Sequence, residues 1–118
     1  DVLSRVPVYE QIISQIEMLV AAGVLKEGDQ LPSVRGLSVD ISVNPNTIQK
    51  AYTELDSLGV VTSVPGRGCF VAQNAGEMLR RRGEASLTEF RSLAARIHSL
   101  GIGAEELHRA VDEALGEG

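Results

Sequence analysis

Residues 42–46 read Ser-Val-Asn-Pro-Asn, and no other stretch limits what this chain can fold into so sharply. Asn44 can cap a helix, and Pro45 suits the first helical position because its missing N–H has no intrahelical partner there. A helix therefore begins at Pro45, and any helix before it must already have stopped. Ile48, Ala51, Tyr52, Leu55 and Leu58 recur at helical spacing and carry the new helix to Gly59, with these five residues inward. Upstream, Leu31-Pro32 forces an extended approach and Ser33 can cap a short helix running to about Ile41, with Val34, Leu37 and Ile41 inward. Gly36 weakens that helix by roughly 1 kcal/mol relative to alanine. Two helices joined by about three residues have helix-turn-helix spacing.

The flanking segments complete a pattern. Pro7 suits the first turn of an earlier helix whose apolar face is Ile12, Ile13, Ile16, Leu19 and Val20, and Gly23 ends it. Residues 24–32 read as a connector with a turn at Gly28-Asp29. After Gly59 the period changes. Val60 to Val64 is rich in β-branched residues, Pro65-Gly66-Arg67-Gly68 is a turn, and Cys69-Phe70-Val71 reads as the returning strand of a hairpin. From Gln73 the chain is helical again. Leu87, Phe90, Ala94 and Ile97 recur at steps of three, four and three up to Gly101, although Gly76 and Gly83 leave the start of that helix poorly defined. A last helix spans about Gly103 to Leu115, with Leu107, Val111, Ala114 and Leu115 apolar. The expected fold is mainly α with a small β-hairpin: a winged helix-turn-helix over residues 1–72 and a two-helix tail over residues 73–118.

Composition sets limits on function. The 118 residues carry 11 Lys+Arg and 16 Asp+Glu, a formal charge of -5, and 43% are hydrophobic, as in an ordinary globular domain. No apolar run approaches the ~20 residues of a membrane span. The opening residues lack a basic stretch followed by an apolar one, so no signal peptide, no membrane partner and a cytoplasmic protein are expected. A single cysteine, Cys69, excludes an internal disulfide and a Cys-rich zinc module. The acidic balance argues mildly against nucleic acid, and neither half is basic: residues 1–72 hold five basic and eight acidic residues, residues 73–118 six and eight. A DNA-binding reading must rest on the placement of a few charges.

That placement is suggestive. In a winged helix-turn-helix the second helix enters the major groove and its N-terminal residues touch base edges. Here those residues are Asn46, Thr47, Gln49 and Lys50. Asn and Gln can donate and accept at adenine, Thr can meet a thymine methyl, and Lys can reach guanine or a phosphate. The helix N-terminus adds N–H groups and a partial positive charge. A polar, solvated helix end has the same composition. Arg35 stands one turn into the short helix, where the DNA backbone would pass or where an exposed arginine is simply hydrated. Arg67 lies between two glycines at the hairpin tip, free of bulk that would block a close approach to a narrow groove.

Four blocks carry a resemblance to a known family: Pro7-Val8-Tyr9-Glu10-Gln11-Ile12, Gly28-Asp29-Gln30-Leu31-Pro32-Ser33-Val34-Arg35, Asn44-Pro45-Asn46-Thr47-Ile48-Gln49-Lys50-Ala51-Tyr52, and Gly66-Arg67-Gly68-Cys69-Phe70-Val71. In this order they resemble the DNA-binding domain of GntR-family transcription regulators. The Asn-Pro-Asn-Thr form with a short tail is most similar to the YtrA-like subfamily, whose members act mainly as repressors, often of transporter operons. The resemblance implies double-stranded DNA as partner and contacts from Ser33, Arg35, Asn44, Asn46, Thr47, Gln49, Lys50, Gly66, Arg67 and Gly68. Relatives often carry arginines where this chain has Pro45 and Gln49, so their base contacts do not transfer. Gly36-Leu37-Ser38 stands where Glu-Leu-Ala is more usual. An unidentified small-molecule effector is a further partner such a regulator can take.

The 46 tail residues are too few for a large ligand-binding domain. Two helices of this length are rarely stable alone, so the stripe of Leu87, Phe90, Ala94, Ile97, Leu107 and Val111 is expected to meet the winged domain or a second chain, giving a homodimer. Other features read as bland. Cys69 beside Arg67 could be a redox sensor, but a half-buried strand residue has the same sequence signature. His98 and His108 lack ligand spacing on one helix, and Glu105, Glu106 and His108 suit a solvated face, so no metal is expected. Arg80-Arg81-Arg82 could lie near phosphate or be a solvated cluster. No cofactor is expected. With no nucleophile–base pair, phosphate-cradling loop or paired carboxylates, an enzyme is not expected either. The expectation is a sequence-specific, dimeric repressor on a pseudo-palindromic operator; the alternative is a winged-helix protein-interaction module.

Overall fold

Packing begins with the first helix, whose isoleucines have one place to go. In the computed structural model, which describes residues 5–117, α1 spans Val8–Ala21 and buries Ile12, Ile13, Ile16 and Val20. Pro7 stands one position before the helix, as its cap, and Gly23 takes the left-handed conformation (φ 77°) that ends it. The outer ends of the expected domains, at residues 1 and 118, lie outside the described residues.

Helix α2 (Val34–Ile41) starts where Ser33 Oγ accepts a hydrogen bond from the Gly36 N–H at 2.9 Å. Helix α3 (Pro45–Ser57) starts where Asn44 Oδ1 accepts from the Asn46 N–H at 2.8 Å. Ile48, Ala51, Tyr52 and Leu55 are buried in the core that α3 shares with α1, α2 and the first strand of the hairpin, with Ile48 and Leu55 fully inside. Two residues expected inside are exposed, Ile41 and Leu58. The reason is the same at both. Each is at the end of its helix, and the next residue turns left-handed: Ser42 at φ 54°, Gly59 at φ 81°. The inward position passes to the residue beyond, so half-buried Val43 packs against the core and Val60 is fully buried.

Strands β1 (Val61–Val64) and β2 (Gly68–Val71) pair antiparallel, Val61 opposite Val71 and Val64 opposite Gly68. A further element emerges from the expected connector. The Leu31 N–H donates to Cys69 O and the Val71 N–H to Asp29 O, both at 2.8 Å, while Gln30 bridges Phe70. Residues 28–31 therefore line the free edge of β2, which becomes the middle of the wing and is shielded from edge pairing.

Helix α4 (Ala75–Ser99) is continuous through Gly76 and Gly83. Its start is well defined: Asn74 is left-handed (φ 62°), Ala75 is 2% exposed, and Met78 and Leu79 pack against the core. That burial offsets the roughly 1 kcal/mol each helical glycine costs. Helix α5 (Ala104–Ala114) follows Gly101, which has φ 108°. The chain forms two compact units, residues 1–81 and 82–118. The first holds the core just described, including Ala75, Met78 and Leu79, all of which lie beyond the expected boundary at 72. The second is built from the rest of α4 and α5. No described helix is long and apolar enough to cross a membrane.

Candidate nucleic-acid interface

Helix α3 presents its polar residues because its apolar ones are taken up by the core it shares with α1, α2 and β1. Asn46, Gln49 and Lys50 are exposed and Thr47 is half-buried. The N–H groups expected to be available at its N-terminus are engaged: Asn46 N–H is held by Asn44 Oδ1 and Thr47 N–H by Asn44 O at 3.0 Å, and Pro45 has none. The dipole remains as a source of positive potential, and hydrogen bonding to a partner falls to side chains. Gln49 Nε2 donates to Thr53 Oγ1 at 3.2 Å, which aligns the amide along the helix surface.

An open cleft of about 500 Å³ separates α3 from the wing. Ser33, Gln49, Gly66, Arg67 and Gly68 all line it, so residues 35 positions apart in sequence converge on one surface. Arg35, Asn44, Asn46 and Thr47 are not part of its wall; Arg35 is exposed on α2, and the other three lie at the start of α3. Lys50 stands on another flank, with Nζ 3.9 Å from the centroid of the Tyr9 ring on α1, a cation–π contact. The cleft floor is braced by Tyr52, whose hydroxyl donates to Pro32 O at 2.8 Å and so ties α3 to the entry of α2. Burial, with a smaller contribution from Cys69, pushes the Tyr52 phenol up to about 12.

Two residues outside the expected set belong to this surface. Gln30 lines the cleft and its Nε2 donates to the Arg67 carbonyl at 2.9 Å. Tyr9 holds Lys50. The extended approach forced by Pro32 was the available signal for Gln30; the identity of the strand it would meet was not local information. The Cys69 thiol is buried and burial pushes its pKa up, opposite to the direction a redox sensor needs. Arg80 and Arg81 are exposed on the first turns of α4. Those turns sit at the C-terminal end of α3: the Ala72 N–H donates to Val60 O, and a Cβ on Gly59 would lie 3.9 Å from Met78 Cε. The 13 residues of α3 place its N-terminus about 20 Å from that end, and Arg81 is paired with Glu77 at 2.7 Å. Among the described residues no group of His, Cys, Asp or Glu is arranged to hold a metal.

In the second unit, Phe90, Ala94 and Ile97 of α4 and Leu107 and Val111 of α5 line an apolar groove of about 520 Å³. Leu87, further back along α4, is exposed and lies outside it.

Comparison with known proteins matches this architecture to regulators. Residues 8–71 match the family of bacterial regulatory proteins called gntR. Over 114 residues the chain is 40% identical to the HTH-type transcriptional repressor YtrA of Bacillus subtilis, covering 96% of this chain and 88% of that one. A transcriptional regulator from Oenococcus oeni has a similar structure, with a TM-score of 0.73, 33% identity, and coverage of 95% of this chain and 93% of that one. The DNA-binding domain of AraR, solved in complex with operator ORE1, is similar over 57% of this chain and 82% of its own, at 33% identity and a TM-score of 0.54. The chain belongs to the GntR family, as a winged helix-turn-helix transcription regulator and not an enzyme.

Proposed function

We propose that this protein is a cytoplasmic repressor that binds a pseudo-palindromic operator as a homodimer. The observation that carries the reading is the cleft in which Ser33, Gln49 and the Gly66-Arg67-Gly68 tip face one another. A helix in the major groove and a glycine-flanked arginine in the adjacent groove would straddle a phosphodiester strand there. Base readout falls to Asn46, Thr47 and Gln49, and backbone positioning to Ser33, Arg35 and the wing. Asn44 serves by setting the start of α3, and Lys50, held by Tyr9, supplies charge at its flank. The repressor direction is supported by the likeness to a repressor in Bacillus subtilis, and operator binding by the AraR complex. Regulation of a transporter operon, with or without a small-molecule effector, follows from the family resemblance.

The dimer rests on the apolar groove between α4 and α5. Covering it with a second copy would join two recognition helices in one symmetric molecule, and a palindromic operator presents its half-sites about 34 Å apart, one turn of DNA. The test is a salt titration of binding to the DNA upstream of the protein's own gene. Nanomolar binding that weakens steeply with salt is expected, with a slope that counts the phosphates engaged. Binding no tighter than to unrelated DNA at every salt concentration would overturn the reading in favour of a protein-interaction module.

A further inference from the structure

Arg67 sits between Gly66 at φ 76° and Gly68 at φ 121°, so side chains do little to restrain the backbone on either side of it. A tip of this kind would sample many orientations, and ordering it on DNA would reduce affinity. The structure supplies a restraint from outside the hairpin. Gln30 Nε2 reaches the Arg67 carbonyl at 2.9 Å across 37 residues of sequence. Its own backbone is fixed, because Leu31 N–H is held by Cys69 O and Asp29 O by Val71 N–H. Gly68 makes room for the amide: a Cβ there would stand 2.6 Å from Gln30 Nε2. Two features of the chain thus serve one contact.

We propose that Gln30 is a positioning residue for DNA recognition, its side-chain amide holding the wing tip so that Arg67 is pre-ordered for the groove. The inference rests on the reading of Arg67 as a DNA contact. Gln30 is exposed, so Gln30→Met, which keeps the length of the side chain and removes its donor, leaves the fold intact. The experiment is a double-mutant cycle on operator affinity with Gln30→Met, Arg67→Ala and both, each measured across a salt series. The expected result is about fivefold weaker binding for Gln30→Met, as for loss of one neutral hydrogen bond, and no further loss when it is added to Arg67→Ala. The salt slope of Gln30→Met should also move toward that of Arg67→Ala, about one unit shallower than the parent. A neutral-for-neutral change with a purely structural effect leaves that slope alone. Unchanged affinity for Gln30→Met while Arg67→Ala binds weakly would overturn the positioning role. Equal losses in both backgrounds would overturn it too, since Gln30 would then act without Arg67. If Arg67→Ala itself binds normally, the wing reading fails first and the inference falls with it.

Discussion

Gln49 and Arg35 stand on adjacent helices, and the proposed function gives them different work. The Gln49 amide is steadied by Thr53 on the exposed face of α3 and borders the cleft, so it can present a donor and an acceptor to a base edge. Arg35 lies on α2, outside the cleft wall, and in the proposed function it meets a phosphate. Gln49→Ala should change which operator variants are tolerated, by about 1–3 kcal/mol at one position. Arg35→Ala should weaken all variants alike. A panel of single-base operator variants reads both, and a uniform effect of Gln49→Ala would remove it from base readout. Tyr52 gives a second prediction. The folded protein keeps the phenol proton up to about pH 12, whereas the unfolded chain loses it near the ordinary value of about 10. Stability present below pH 10 is therefore lost as pH rises through that window, by up to about 2 kcal/mol. The raised Cys69 thiol acts in the same sense. Denaturant melts at rising pH should show a shallower decline for Tyr52→Phe than for the parent, and an equal decline would mean that Tyr52 is not the source.

At the scale of elements, the short helix α2 explains a residue that helix propensity alone disfavours. Gly36 supplies the N–H that Ser33 Oγ caps, and a Cβ on it would stand 2.9 Å from that same oxygen. Alanine at 36 gains about 1 kcal/mol of propensity but displaces a cap worth about as much. Gly36→Ala should therefore be nearly neutral in the parent and stabilising by about 1 kcal/mol in a Ser33→Ala background, as equilibrium unfolding of the four proteins would reveal. Equal gains in both would mean that cap and Cβ do not compete. Features of this local kind were legible in the sequence: the caps at Ser33 and Asn44, the proline at the start of α3, and the glycine-bounded hairpin each depend on residues a few positions apart. The strand-like edge at residues 28–31 was not, because its partners on β2 are some 40 residues away and nothing near Gln30 names them. Ile41 and Leu58 depart from their helical pattern for a related reason. Their spacing continues the apolar stripe, but a left-handed residue after each one redirects the chain and gives the core to Val43 and Val60. On the interface the residue types were legible, whereas the grip of Tyr9 on Lys50 and of Gln30 on Arg67 required the third dimension.

The whole molecule has to reconcile an acidic chain with an acidic partner, and the two-unit organisation offers a way. A single winged unit brings few cations to DNA: residues 1–81 hold seven basic residues against nine acidic ones. Two such units joined through their tails would double the contacts, and the second would engage at a high effective concentration. The first unit is expected to fold without the tail, but only if the cut respects its core. Ala75 is buried and Met78 and Leu79 pack behind it, so a chain ending at residue 81 keeps what a chain ending at residue 72 loses. The shorter fragment should be less stable by about 2–4 kcal/mol, the scale of uncovering a few apolar side chains. The longer one should melt cooperatively, sediment as a monomer and bind a half-site and a full palindrome with similar weak affinity. The full chain should sediment as a dimer at micromolar concentration and prefer the palindrome by orders of magnitude. Leu107→Glu, which places a charge in the α4–α5 groove, should convert the full chain to the behaviour of the 1–81 fragment. Sedimentation with each DNA decides the matter: a monomeric full chain would refute the dimer, and a dimeric 1–81 fragment would move the interface onto the winged unit.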